Sequence, residues 1–187
     1  MRVFRKGLGP HALPVAMSGI RMGERLLTIG SGTPGMFAAM AAKVGLSGRA
    51  CAMVLDEAGA SALRNAAARE GVLAEIDVSP LDRLPFEDAA FDLVVLDATG
   101  SLAALGGAEW EPCLRESQRV LRAGGRAVLI QRTGQGGFRT LLAGRASSTP
   151  ALPAADVLRA FGAAGFRAAR ELAEREGLRF IEAIKLR

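Results

Sequence analysis

The chain has 187 residues, half of them hydrophobic and 23% charged, which is typical of a single globular domain. Two cysteines and one histidine are too few for a disulfide framework or a metal-ligand set, and the lack of tyrosine excludes a tyrosine acid. No apolar run approaches the ~20 residues that cross a bilayer. Prolines and glycines interrupt the basic amino-terminal segment, unlike a signal peptide. We therefore expect one cytoplasmic domain over residues 1–187, without a membrane span or a metal.

The net charge of +5 and the isoelectric point near 10.2 raise the question of nucleic-acid binding. The cations are mostly arginines, and they are scattered along the chain. A nucleic-acid footprint is a clustered basic stripe or a basic patch with interleaved aromatic residues. The distribution therefore indicates a solvated basic surface, and nucleic acid is not expected as a partner.

Apolar runs alternate with helical patterns, which is typical of βαβ units in a parallel sheet. In chain order the pattern predicts a strand at residues 25–29, a helix at 34–44, a strand at 50–55, a helix at 58–70, strands at 74–78 and 91–96, a helix at 109–121, a strand at 126–131 and a helix at 153–164. Residues 166–173 and 178–185 predict a closing hairpin. The expected fold is α/β: a doubly wound, mostly parallel seven-stranded sheet with an antiparallel C-terminal hairpin strand, a Rossmann-like arrangement.

Local signals predict where two of these helices begin and end. Thr33 is expected to cap the first helix, and Pro34 suits its first position. Gly124-Gly125 are expected to end the helix that precedes the fifth strand.

The helix at 109–121 carries one apolar stripe at helical spacing, at Trp110, Cys113, Leu114, Ser117 and Leu121. Cys113 follows a proline, as does the nucleophile of cytosine C5-methyltransferases. Because it lies on this stripe inside a helix, we expect core packing instead.

The segment Gly30-Ser31-Gly32-Thr33-Pro34-Gly35 matches G-x-G-x-x-G between a strand and a helix. Glycines permit a tight turn and close approach of the backbone to a ligand, and the helix amino terminus offers free N–H groups. Asp56 ends the next strand, where a carboxylate can accept both hydroxyls of a ribose. This combination predicts an adenosine-containing cofactor, and nicotinamide dinucleotides and S-adenosylmethionine both fit.

Four passages in order resemble the class I S-adenosylmethionine-dependent methyltransferases. They are LLTIGSGTPG, KVGLSGRACAMVLDEA, LDRLPFEDAAFDLVVLD and RVLRAGGRAVLI, and their wording is most similar to the quinone-biosynthesis C-methyltransferase or methyltransferase type 11 branch. The resemblance implies S-adenosylmethionine as cofactor, S-adenosylhomocysteine as product and a small-molecule acceptor. Transferred position by position, it implies cofactor contacts at Gly30, Ser31 and Gly32 for the methionine and ribose, Asp56 and Glu57 for the ribose hydroxyls, Pro80 and Leu81 for adenine, and Asp97 for the methionine or the acceptor.

Two positions depart from the family pattern. Members usually have an acidic residue where this chain has Thr28, and it helps to anchor the amino end of the methionine. They also often have a third glycine where Pro34 stands. Thr28 weakens the expected anchor, whereas Gly35 can compensate for Pro34.

Methyl transfer from a sulfonium is an in-line displacement in which positioning supplies much of the acceleration, and a base is optional. His11 and Asp97 are the candidate catalytic residues. His11 lies in residues 1–22, a segment that in related proteins can fold over the cleft, although a surface histidine is the simpler interpretation. Residues 132–150 are expected to form a lid or loop whose arginines, Arg132, Arg139 and Arg145, either meet an anionic substrate or keep the loop soluble.

The sequence thus predicts an S-adenosylmethionine-dependent methyltransferase acting on a small molecule. A nicotinamide-dependent oxidoreductase is the first alternative, since the glycine pattern and Asp56 suit it equally. A catalytically silent protein that binds an adenosine cofactor is the second.

Overall fold

A computed structural model describes residues 9–105, 107–133 and 152–186 of the chain. The helices are α1 (Ala12–Ser18), α2 (Pro34–Val44), α3 (Glu57–Glu70), α4 (Gly107–Val120) and α5 (Ala154–Ala163), with a short 3₁₀ turn at Ser101–Ala104. The strands are β1 (Arg25–Ile29), β2 (Arg49–Val54), β3 (Glu75–Val78), β4 (Phe91–Ala98), β5 (Leu121–Arg132), β6 (Arg167–Arg175) and β7 (Leu178–Ile184).

The seven strands form one sheet in the order β3-β2-β1-β4-β5-β7-β6. The strands β3, β2, β1, β4 and β5 are parallel to one another. Strand β7 is antiparallel to both β5 and β6. The predicted fold class and closing hairpin are therefore confirmed. Because the chain runs outward from β1 in one direction and from β4 in the other, the carboxyl ends of these two strands flank the point where ligands bind in such sheets.

Alternate residues of the central strands pack on opposite faces of the sheet. Leu27 belongs to a buried cluster with Trp110 of α4 and Phe161 of α5. Leu26 belongs to the opposite cluster, which includes Met36 and other residues of α2. This burial on both faces explains why the central strands read as nearly continuous apolar runs.

The junction between α4 and β5 differs from the prediction. The helix ends at Val120 and the strand begins at once with Leu121, so Leu121 is buried from the strand rather than from the helix. Gly124-Gly125 lie within β5 near a register irregularity opposite Phe91, and they do not end the helix. The sequence also gave no sign of α1 or of the 3₁₀ turn, because both are shorter than two helical turns.

The other members of the predicted stripe on α4 are buried, including Cys113 and Leu114. Core packing of Cys113 is therefore confirmed. Most of the predicted lid at 132–150 lies outside the described residues.

Two polar clusters tie the parallel strands to their connections. The Arg119 guanidinium donates to the carbonyl oxygens of Leu84 and Phe86 at 3.0 and 2.8 Å, and Glu116 accepts from the Leu84 amide at 2.8 Å. At the same, amino-terminal end of the parallel strands, Asp92 accepts from the backbone and side chain of Arg25 and from Arg122. Arg119 and Asp92, the central residues of the two clusters, both lie in motif passages that resemble the methyltransferases.

Within the described ranges, no helix is long and apolar enough to cross a membrane, and no group of three or more metal-ligating side chains comes together.

Candidate functional site

The chain turns sharply at the carboxyl end of β1, as the glycine pattern predicts. Gly30 has a φ of +97°, a conformation that side chains rarely adopt, and its amide donates to the carbonyl of Met53 on β2. A Cβ at this position would lie 2.8 Å from the carbonyl oxygen of Asp97 on β4. A glycine is therefore required here both for the turn and for the contact between strands.

Asp97 is the buried acid of the site, with 1% of the residue exposed. Its carboxylate accepts from the Thr33 amide at 2.8 Å and from the amide and hydroxyl of Thr99 at 3.1 and 2.5 Å. Burial raises the pKa of this carboxyl, although the hydrogen bonds from Thr99 and Thr33 oppose the shift. Because both oxygens are engaged, the Asp97 side chain fixes the loop after β4 against the start of α2.

A fourth hydrogen bond completes this cluster, which we call the threonine lock (Thr33, Asp97 and Thr99). The hydroxyls of Thr33 and Thr99 lie 2.8 Å apart. Thr33 occupies the N-cap position of α2 but makes no side-chain cap, so that prediction is wrong. Pro34 is the first helical residue, as predicted.

The threonine lock brings the two loops into direct contact. A Cβ on Gly32 would overlap the amide nitrogen of Gly100 and lie 2.7 Å from the carbonyl carbon of Thr99, and a Cβ on Gly100 would overlap the Cα of Gly32. The sequence pattern places Gly32 in a ligand-binding turn and gives no hint of this contact. In this conformation one surface of Gly32 is covered by the chain itself.

Asp56 lies one strand away, at the carboxyl end of β2, and is exposed. It is the N-cap of α3, where its Oδ1 accepts from the Gly59 amide at 2.7 Å. Its Oδ2 has no hydrogen-bond partner within the described part of the chain. Glu57, next to it, is exposed and pairs with Arg64. Ser31 of the glycine turn lies against Gly59, so the turn and the start of α3 are neighbours.

Apolar surface is exposed beside Asp56. Leu55 and Val78, at the carboxyl ends of the adjacent strands β2 and β3, are 41% and 44% exposed. Pro80 is also exposed, whereas Leu81 is 6% exposed and belongs to the core cluster beneath α4 and α5. Leu55 and Val78 were not singled out from the sequence, since an apolar residue at a strand end gives no separate signal.

A cleft of about 550 Å³ opens on the other side of the glycine turn. Its walls come from α1, the start of α2, the loop after β4, the end of β5 and the β6–β7 turn; the residues are Pro10, His11, Pro14, Thr33, Met36, Thr99, Arg132, Thr133, Glu176, Gly177 and Leu178. The half-buried His11 lies with its Nε2 against Gly35. Pro10, His11 and Pro14 of the amino-terminal segment therefore line this cleft.

Thr28 lies on β1, at the position where the resemblance implies an acid. The residue is 1% exposed, and its hydroxyl has no hydrogen-bond partner within the described residues. A buried hydroxyl without a partner is unfavourable, so this position is a weak point of the site.

Comparison with known proteins gives one family and one fold. A family model described as a methyltransferase domain matches residues 27–129. The ubiquinone/menaquinone biosynthesis C-methyltransferase UbiE of Cupriavidus taiwanensis is 26% identical over 117 residues, which cover 63% of this chain and 46% of that protein. The chain thus spans just under half the length of this relative.

Two solved structures have the same fold. A SAM-dependent methyltransferase from Aquifex aeolicus superposes with a TM-score of 0.76 and 17% identity, covering 96% of this chain and 91% of that one. PigF, solved with SAH, superposes with a TM-score of 0.64 and 22% identity, covering 90% of this chain and 51% of that one. Since the family match spans more than half of the chain, from β1 and the glycine turn to β5, the chain belongs to the class I S-adenosylmethionine-dependent methyltransferases, whose cofactor is S-adenosylmethionine.

Proposed function

We propose that this protein transfers a methyl group from S-adenosylmethionine to a small-molecule acceptor. The observation that carries the proposal is the position of Asp56, whose exposed carboxylate ends the strand next to the glycine turn and keeps one oxygen without a partner in the described chain. A carboxylate at this place can accept hydrogen bonds from the two hydroxyls of a ribose.

The nucleoside half of the cofactor fits the residues present. Asp56 would hold the ribose, and the exposed Leu55 and Val78 would offer an apolar surface to the adenine. Leu81, which the resemblance places at the adenine, supports this surface from within the core.

The methionine half meets a closed arrangement, because Gly100 covers one surface of Gly32. We infer that the threonine lock opens when the cofactor binds, since a ligand can contact this surface of Gly32 only if residues 99–100 move. When bound, the cofactor supplies a methyl group on a positively charged sulfur. In the closed arrangement Asp97 is a positioning residue, because backbone and hydroxyl donors engage its oxygens.

The cleft beside the glycine turn is the proposed acceptor site. His11 is its candidate proton acceptor, because its imidazole lies half-buried in the wall of the cleft. The relative UbiE is a C-methyltransferase of ubiquinone and menaquinone biosynthesis, which suggests a quinone-like ring as one acceptor.

A silent cofactor-binding protein is the second candidate. Two observations favour it: the orphaned hydroxyl at Thr28 and the contact between Gly32 and Gly100. The nicotinamide alternative loses support, because the sheet ends in the antiparallel pair β7-β6 instead of a sixth parallel strand, the arrangement of a dinucleotide-binding sheet.

Calorimetry with S-adenosylhomocysteine, S-adenosylmethionine and NADH on the full chain tests the cofactor. We expect both sulfur nucleosides to bind and NADH not to bind, and the reverse preference would overturn the proposal. Transfer of a labelled methyl group to a panel of phenols, amines, quinols and acids then separates an enzyme from a silent binder. Binding of the cofactor without transfer to any acceptor would favour the second candidate.

A further inference from the structure

The wall of the cleft beside the glycine turn combines one cation, one anion and one imidazole with apolar side chains. The charged groups are Arg132 at the end of β5 and Glu176 in the β6–β7 turn, and the imidazole is that of His11. Asp56 and the apolar surface at the ends of β2 and β3 are not part of this cleft. A ligand in it would therefore be recognised independently of a nucleoside.

Arg132 offers an incompletely used guanidinium. Its Nε donates to the carbonyl oxygen of Thr99 at 3.2 Å, and its charge helps to lower the pKa of the buried Asp97 carboxyl, but no carboxylate of the described chain lies within ion-pair distance of it. Glu176 lines the same cleft and is likewise absent from the ion pairs of that part of the chain. The two terminal nitrogens of Arg132 can thus bind a planar carboxylate through two parallel hydrogen bonds.

The next residue supplies a hydroxyl group that lacks a partner. The Thr133 Oγ1 is buried and makes no hydrogen bond within the described residues, while the Thr133 amide is fixed by the carbonyl of Gly177 at 2.9 Å. Buried polar atoms are nearly always satisfied in folded proteins, so an unpartnered one in the wall of a cleft indicates a place for a ligand atom. Thr133 and Arg132 are adjacent, and both belong to the same wall.

The remaining walls set the size and the charge of the ligand. Pro10, Pro14, Met36 and Leu178 present apolar surface, and the volume of about 550 Å³ lies within the range of small-ligand pockets. Glu176 disfavours a ligand with several negative charges, because a second anionic group would meet a like charge in the same cleft.

We propose that this cleft binds a small organic monoacid, with its carboxylate on Arg132, a polar group near Thr133 and an apolar body along Met36 and Leu178. The claim that this acid is the methyl acceptor rests on the proposed function. The claim that the cleft binds the acid is independent of that function, because binding can be measured without the cofactor. A monoacid carries one negative charge, and Arg132 is the one arginine or lysine that lines the cleft among the described residues.

Benzoate and benzamide are matched probes, since they share a shape and differ in charge. Titration of the full chain, followed by NMR, should give benzoate an affinity at least tenfold higher than benzamide. Arg132→Gln should abolish this preference, and Arg132→Lys should restore part of it. Glu176→Gln, which removes a charge from the same cleft, should keep or increase the affinity for benzoate.

Equal affinities for the two probes, or benzoate binding that Arg132→Gln leaves unchanged, would overturn the proposal. Binding of S-adenosylhomocysteine to the same samples separates this result from a failure of the proposed function. If the wild-type chain binds S-adenosylhomocysteine but shows no preference for benzoate, the acid site alone is overturned. If it prefers benzoate but does not bind the nucleoside, the acid site is supported and the methyltransferase is contradicted.

Discussion

The backbones of Gly32 and Gly100 are in contact at the carboxyl edge of the sheet, and neither position has room for a β-carbon. Gly32 belongs to the turn after β1 and Gly100 to the loop after β4, so this contact closes the gap between the two strands where the sheet changes direction. The threonine lock beneath it holds the two loops together.

Gly32→Ala should therefore destabilise the fold, because the new methyl group would overlap backbone atoms that cannot rotate away. We expect the free energy of unfolding to fall by about 2 kcal/mol, in the range of overpacked sites. Urea denaturation measures this change. Gly162→Ala is the matched control: Gly162 lies in α5 with nothing near its Cβ position, so alanine should stabilise the protein by about 0.5 kcal/mol. Equal stability of Gly32→Ala and the wild type would show that the loops of Gly32 and Gly100 can move apart without loss of stability.

Thr99→Val should loosen the threonine lock, since it removes the hydroxyl shared by Asp97 and Thr33 but keeps the shape of the side chain. Loss of a hydrogen bond to a carboxylate should lower the free energy of unfolding by about 1.5–3 kcal/mol. If residues 99–100 must move for the cofactor, the affinity for S-adenosylhomocysteine should rise severalfold. Calorimetry measures it, with Thr33→Val as the milder control because the Thr33 amide still bonds Asp97. Weaker binding by Thr99→Val would mean that the closed arrangement is the binding form.

Asp56→Asn should separate the two roles of Asp56. Asparagine caps a helix about as well as aspartate, so the free energy of unfolding should change by less than about 0.5 kcal/mol. The affinity for S-adenosylhomocysteine should fall at least tenfold, since hydrogen bonds to a charged group contribute about 1.5–3 kcal/mol. Asp56→Ala should lose the cap as well, at a cost of about 1 kcal/mol. Asp156→Asn, which removes a surface partner of Arg159 on α5, controls for the loss of one negative charge. Unchanged affinity in Asp56→Asn would contradict the ribose assignment.

Asp92 should make stability depend on pH. Burial alone would raise the pKa of Asp92, but hydrogen bonds from Arg25 and Arg122 outweigh it and hold the pKa at about 2, below the ordinary 3.8. A depressed pKa means that the carboxylate stabilises the fold fully above pH 3.8 and loses this effect as the pH falls toward 2. This lowering of the Asp92 pKa corresponds to about 2 kcal/mol in the free energy of unfolding above pH 3.8.

Asp92→Asn should therefore be less stable than the wild type by about 2 kcal/mol above pH 4, and the difference should narrow as the pH falls to about 2. Urea denaturation at a series of pH values measures it. Glu75→Gln is the control, because Glu75 and its partner Arg49 are about half exposed and an exposed pair contributes less than about 1 kcal/mol. If the difference in the free energy of unfolding between Asp92→Asn and the wild type stays constant from pH 2 to 6, the pairing of Asp92 with Arg25 and Arg122 is contradicted.

The two thiols should be unreactive in the folded protein. Cys51 and Cys113 are buried, and burial raises the pKa of each thiol to about 12. At pH 8 neither forms the thiolate that reacts. A chromogenic disulfide reagent should detect no thiol in the native state and two thiols in guanidinium chloride, and rapid reaction of a native thiol would rule out a core position for it.

The periodicity of the chain was sufficient to predict the sheet, because apolar runs and helical stripes report burial directly. The junction at Leu121 was misjudged, since Leu121 continues the spacing of α4 while lying on the next strand. The passages LPF and RVL contributed to the family resemblance. In the structure Arg119 of RVL donates to the carbonyl oxygens of Leu84 and Phe86 in LPF, so the two passages hold a loop in place away from the site. Motifs can therefore mark a family through its scaffold.

The candidate site was only partly predictable, for a physical reason. The turn at Gly30 and the strand-end acid Asp56 depend on local sequence, which a pattern can reveal. The contact of Gly32 with Gly100 and the position of Arg132 in the cleft depend on segments that are distant along the chain, and single residues carry no sign of such pairings.

The order of strands leaves β3 and β6 at the two borders of the sheet. An unpaired strand border can recruit further chains into aggregates. The β3 border is four residues long, and β6 carries charges at Arg167, Arg170, Glu171 and Glu174, so a second molecule that added a strand there would have to desolvate them. Strand addition at either border is therefore disfavoured by the shortness of β3 or by the charges of β6, a consequence separate from any chemistry at the strand ends that form the site.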